Sequence, residues 1–176
     1  EWSKTHVYST MHLCWGAMAG LYYHHHIPKK PLDEKLSGVF RHRPLDIRHP
    51  LLRGFDEVFY MPHSRFAEVS RYDIDRNPSL EVLAMSETAG VAIAATTDAR
   101  QVFVTGHCEY DRYTLANEYN RDVHRGLSPA VPRHYFPGDD PTAVPTMLWR
   151  SHANLLFSNW LNYFVYQQTP YDLSNI

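Results

Sequence analysis

A cysteine, a histidine and a glutamate in this chain are placed as a nucleophile, its base and the base's orienter would be. Cys14 ends an apolar, β-prone approach, Val7 to Leu13, and precedes a small-residue run that reads as the start of a helix, in MHLCWGAMAGLYY. A cysteine at a tight strand-to-helix turn presents its sulfur clear of the sheet, and the positive end of the helix dipole raises the thiolate fraction. Gly16 and Ala17 are expected to let the backbone turn sharply and a substrate come close. Ninety-three residues later QVFVTGHCEYD carries a second short apolar strand, Val102 to Thr105, then Gly106, His107 and Glu109. If the extended backbone persists past Gly106, His107 and Glu109 face the same way. The imidazole would take the thiol proton and later hand it to a leaving group, while the carboxylate fixes the ring tautomer and stabilises the imidazolium. A lone cysteine beside apolar residues is more often an inert core residue, and a lone His-x-Glu a solvated strand end. The two together, each at the C-terminal end of an expected strand, stand where open α/β sheets place their sites.

The elements that must position these groups can be read along the chain. EWSKTHV looks like the end of a helix running into the strand before Cys14. Lys35 to Phe40 and Asp56 to Pro62 are strand-rich, separated by RHRPLDIRHP, whose prolines and charges mark an excursion. PHSRF, LEVLAMSE and VAIAAT follow, and Val91 to Thr96 with Val102 to Thr105, parted by Asp98, Ala99 and Arg100, reads as a β-hairpin. DRYTLANEYNRDVHRGL is an expected helix ended by Gly126. Pro132 to Pro145 is a Pro-rich loop or lid. Leu156, Trp160, Tyr163 and Phe164 recur at helical spacing and predict a helix packed on the sheet.

A chain of 176 residues, 44% hydrophobic and 20% charged, suits one α/β domain with its own core. Its net charge of -2 gives no electrostatic reason to expect nucleic acid or an anionic membrane as partner. No apolar run approaches the ~20 residues of a membrane span. Two cysteines suit a reducing cytoplasm, and Cys108, pointing away from His107, reads as packing, with a Cys14 to Cys108 disulfide the weaker alternative. His24, His25 and His26 are consecutive, so on a helix they diverge and no metal site is expected. A nucleophile strand in a doubly wound sheet needs parallel neighbours on both sides, which the thirteen residues before Cys14 cannot supply. The chain is therefore expected to be the C-terminal portion, residues 1–176, of a single domain whose N-terminal part is missing.

LCWGAMAGLYY around Cys14 and VFVTGHCEYD around His107 and Glu109 resemble the homoserine O-acyltransferases of methionine biosynthesis, the homoserine O-succinyltransferase family. IPKKPLDEKLSGVF, LLRGFDEVFYMPHSR, YNRDVHRGL, YFPGDDP and WRSHANLLFSNWLNYFVYQQTPYDL extend the resemblance through almost the whole chain. The resemblance implies a class I glutamine amidotransferase-like fold, a Rossmann-like sheet flanked by helices, with a Cys14–His107–Glu109 triad. It implies L-homoserine as acceptor, acetyl-CoA or succinyl-CoA as co-substrate and no further cofactor, a cytoplasmic homodimer, and Lys35, Ser64 and Arg121 as contacts to the amino acid. Arg121 offers a planar fork for a carboxylate, Ser64 a small donor and acceptor, and Lys35 a cation. Without the resemblance each of these is an ordinary surface or turn residue. In this family the donor-size determinant lies upstream of Glu1, and the reading leans to acetyl. A class I glutamine amidotransferase, hydrolysing glutamine at Cys14, is the alternative enzyme. A half-domain inert without its N-terminal half is the other alternative.

Overall fold

The apolar runs of the middle of the chain are joined by connections too short for crossovers, and this dictates the sheet. In the computed structural model, which describes residues 1–170, they form a six-stranded sheet in the order β1-β6-β5-β4-β2-β3. The elements are α1 (Trp2–His6), β1 (Thr10–Leu13), α2 (Trp15–His25), β2 (Lys29–Pro44), β3 (Phe59–Val69), α3 (Arg71–Asp75), β4 (Leu80–Ser86), β5 (Gly90–Thr96), β6 (Gln101–Val104), α4 (Thr114–His124) and α5 (Arg150–Asn159). The last part of the family-like C-terminal segment, residues 171–173, lies outside the described residues.

The α/β class holds, and the expected β5–β6 hairpin is present. The sheet is mostly antiparallel, however. Only β1 and β6 run parallel, in the register Thr10↔Gln101 to Leu13↔Val104. Parallel neighbours need a connection of about a dozen residues or more, and the turns joining β4 to β5 and β5 to β6 are far shorter. β2 and β3 are longer than the two strand-rich stretches suggest. They form an antiparallel ribbon, paired from Lys29↔Val69 to His42↔Phe59, which joins the sheet only at Arg43↔Met85 and Pro44↔Ala84 of β4.

β6 shows how alternation builds both layers. Val102 and Val104 enter the cluster that contains Leu51, Phe59, Met61 and Leu156 of α5. Phe103, facing the other way, enters the cluster of Ala17, Met18 and Leu21 from α2. The aromatic run after Asn159 is helical as expected, but it widens into a π-helical turn, Trp160–Tyr166. Leu156, Trp160 and Phe164 pack on the first cluster, while the Tyr163 hydroxyl takes a hydrogen bond from Arg53 at 2.7 Å. The Pro-rich segment is pinned: Tyr135 and Phe136 are buried with Val39, Leu115 and Trp149, and Arg133 bridges to Gly38.

Candidate active site

The polypeptide reverses at Cys14 itself. Its φ of 46° and ψ of -110° lie outside the regions open to most L-residues, a strain that persists only where surroundings over-determine it. The Cys14 N–H donates to the Val104 carbonyl at 2.7 Å, and its own carbonyl accepts from Met18 at 3.1 Å, so one residue closes β1 and opens α2. Gly16, expected to matter for the turn, has open space around it: an added Cβ would meet nothing within 4 Å. Ala17 is fully buried in the core rather than facing a substrate.

His107 arrives by a different route from the one expected. β6 ends at Val104, and Cys108 and Glu109 form a turn instead of continuing the strand. The turn still brings His107 Nδ1 to 2.6 Å from Glu109 Oε1, and the ring lies within reach of Cys14. Gly106 makes this approach possible, because a Cβ there would press on Met61 and come within 2.8 Å of the Pro62 carbonyl. That same carbonyl accepts the His107 N–H at 2.8 Å. Burial draws the His107 ring toward neutrality. Hydrogen bonding to Cys14 and to Glu109, with the negative charge of both, outweighs it and pushes the pKa up to about 9. The ring is therefore held as an imidazolium beside Cys14. Cys14 lines a cavity of about 420 Å³ with Trp15, Met18, Ser64, Arg65 and Phe66.

Ser64 faces the site from β3, and the Cys14 Sγ lies 4.0 Å from its carbonyl. Its hydroxyl donates to Glu118 at 2.5 Å. Glu118 also accepts from the Tyr110 hydroxyl at 2.8 Å and from the Lys35 ammonium at 3.2 Å. Burial raises the Glu118 pKa, but the hydrogen bonds from Ser64, Tyr110 and Lys35 and the charge of Lys35 hold it below the usual carboxylate range. Two of the three residues expected on the acceptor side, Lys35 and Ser64, are thus brought together. Arg121 is one step removed: it is half exposed and bound to Asp122 at 2.8 Å, and Asp122 reaches Lys35 at 3.9 Å.

Glu118 and Tyr110 were not singled out from the sequence. The available signal for Glu118 was an acid three residues after Leu115, on the apolar stripe of α4. Cys108 is a free thiol packed in the first core cluster, where burial, helped by Glu109, pushes its pKa up to about 12. His25 bonds the Gln101 side chain at 2.7 Å, and His26 takes a left-handed conformation that ends α2. Among the described residues no group of three His, Cys, Asp or Glu side chains is placed to hold a metal ion.

The sequence profile of homoserine O-succinyltransferases matches residues 1–171. The chain belongs to this family. Over all 176 residues it is 63% identical to a homoserine O-acetyltransferase of Methanomassiliicoccus intestinalis, and 57% identical to one of Methanomethylophilus alvi. A homoserine O-acetyltransferase of Geobacillus kaustophilus is 58% identical over 98% of the chain. In each case the chain spans 57% of the relative's length. Among solved structures it is similar to a glutamine amidotransferase of Methylobacillus flagellatus, with a TM-score of 0.59 at 13% identity over 88% of this chain and 62% of that one. One from Thermotoga maritima gives 0.57 at 10% identity over 86% and 60%. At such identities the likeness shows the fold alone, and the fold is that of the class I glutamine amidotransferases.

Proposed function

We propose that this chain carries the catalytic triad of a homoserine O-acyltransferase working through an acyl-cysteine. The observation that carries the reading is the strained elbow at Cys14 facing an imidazolium that Glu109 orients, within a chain of this family. The Cys14 thiolate attacks the thioester carbonyl of an acyl-CoA, and CoA leaves, taking its proton from His107. The homoserine hydroxyl, deprotonated by His107, then attacks the acyl-cysteine carbonyl, and O-acylhomoserine departs as the thiolate re-forms. The backbone N–H groups that open α2 at Trp15 supply one side of the oxyanion hole. Glu118, ionised beside Ser64, offers a counter-charge for the amino group of homoserine, and Arg121 a fork for its carboxylate.

The names of the relatives support acetyl as the transferred group. We retain the homodimer and the cytoplasm as expectations of the family; no described helix is long and apolar enough to cross a membrane. Intact-mass spectrometry after incubation with acetyl-CoA or succinyl-CoA, without homoserine, tests the reading. An adduct on Cys14 from acetyl-CoA is expected, and no adduct from either donor would overturn it.

A further inference from the structure

The segment from His107 to Glu118 carries the base at one end and the acceptor-side carboxylate at the other. It comprises the turn after β6 and the entry to α4, and two aromatic residues from later in the chain hold it. Both are buried, in the cluster of Val39, Leu115, Ala116 and Phe136, and the mechanism above uses neither.

Trp149, at the start of α5, donates its indole N–H to the Tyr110 carbonyl at 2.9 Å. Tyr110 in turn donates its backbone N–H to the His107 carbonyl at 3.3 Å and lays its ring on the imidazole. The carbonyl that Trp149 holds therefore belongs to the residue on which the base rests. An indole has one donor, fixed in direction by the packing of its ring, so this contact sets the place of the turn.

Tyr135 acts nearer the other end. Its hydroxyl donates to the Arg112 carbonyl and accepts the Ala116 N–H at 3.2 Å. Arg112 and Ala116 have the four-residue spacing of a regular helical hydrogen bond, so the hydroxyl stands between them as a relay in the first turn of α4. A helix entry leaves backbone N–H groups without internal partners, and the N-cap residue Tyr113 offers them no side-chain bond. Tyr135 is itself fixed from β2: the Arg133 N–H donates to the Ser37 carbonyl, and the Arg133 carbonyl accepts from Val39, both at 2.9 Å. Glu118 follows directly in α4, where it accepts from Lys35 and Ser64.

We propose that Trp149 and Tyr135 are positioning residues with separate duties. Trp149 sets His107 against Cys14, and Tyr135 sets Glu118 for the amino-acid acceptor. The inference rests on the acyl-transfer reading of the site, and its test separates the two.

In the intact enzyme, Trp149→Phe and Tyr135→Phe each keep a ring in the core and remove one polar group. Trp149→Phe slows acylation of Cys14 about tenfold, the effect of one lost hydrogen bond at a buried carbonyl, and leaves the KM for homoserine unchanged. Tyr135→Phe does the reverse: the KM for homoserine rises about tenfold, and the acylation rate stays as it was. A general loss of packing would move both constants together in both variants, and that result, or no change in either constant, would overturn the proposal. Should one variant fail to fold by circular dichroism, the split in the other decides. The pH profile of Cys14 alkylation by iodoacetamide needs no acyl donor. It moves to higher pH in Trp149→Phe and keeps its place in Tyr135→Phe. Failure of the unaltered enzyme to acylate with either acyl-CoA would instead overturn the acyl-transfer reading, and the alkylation profiles would then decide whether Trp149 places His107.

Discussion

Tyr110 lies flat against His107, with ring centroids 4.1 Å apart and planes inclined by 17°. Its hydroxyl donates to Glu118, so one side chain joins the base to the carboxylate that faces the amino-acid side. Removing the hydroxyl and removing the ring then have different effects. Tyr110→Phe keeps the stack, and its cost should fall on the KM for homoserine. Tyr110→Ala frees the imidazole and should lower the rate of Cys14 acylation by about 100-fold, as small misplacements of reacting groups do. Rapid-quench mass spectrometry of the acyl-enzyme distinguishes them, and equal acylation rates would remove the positioning role.

The triad itself predicts a graded series. Cys14→Ala abolishes both turnover and acyl-enzyme formation. Glu109→Ala loses about 100-fold or more, as loss of an orienting carboxylate does in related triads. Retained activity in the second variant would show that the 2.6 Å contact of Glu109 with His107 is incidental to catalysis.

Stability should fall with rising pH through this site. The His107 pKa stands at about 9 in the folded chain against an ordinary 6.5, so the native state binds the ring proton more tightly than the unfolded state. The stabilisation is complete below about pH 6.5 and disappears as the pH rises through 9. Urea unfolding of the protein and of His107→Gln at pH 6 and pH 9.5 should show a gap that narrows at the higher pH. A gap that stays constant would contradict the ion pair.

The two thiols should differ in reactivity. Cys14 opens on a cavity, whereas Cys108 is packed in the core with its pKa pushed up to about 12. Brief iodoacetamide treatment at pH 7.5 should carboxamidomethylate Cys14 and spare Cys108, as peptide mapping would report. Diamide should leave both thiols free, and recovery of a Cys14–Cys108 disulfide would refute this arrangement.

Gly106→Ala tests the approach of the base. The added methyl group presses on Met61 and the Pro62 carbonyl, so the loop bearing His107 must shift outward. Catalysis should drop by about 100-fold while far-UV circular dichroism stays native. Near-normal turnover would mean that the loop yields without moving the ring.

Much of this architecture was legible in the residues. Cys14, set between a short strand and a small-residue helix start, marked the elbow, and the β5–β6 hairpin followed from two apolar runs with a polar turn between them. The pairing of His107 with Glu109 was legible, but its mechanism was not. Strand alternation was the expected cause, whereas a turn past Gly106 brings them together, because side-chain spacing alone cannot tell two residues on a strand from two on a tight turn. Glu118 stayed hidden for another reason. Its partners Ser64, Tyr110 and Lys35 come from β3, the loop after β6 and β2, and such a convergence exists only once the ribbon has folded against α4. The sharp turn expected at Gly16 falls two residues earlier, because the unusual backbone angles belong to Cys14 and leave the glycine unconstrained.

The pairing of β1 with β6 is the only parallel one in the described sheet, and it joins residues some ninety positions apart. Hairpins close early, because their loops are short, while a parallel pair of such separation closes late. Cys14 follows directly on β1, and His107 lies three residues past the end of β6. If Cys14 is the nucleophile proposed above, it meets its base only once this distant pairing has formed, so a half-assembled molecule would lack the imidazole that activates the sulfur.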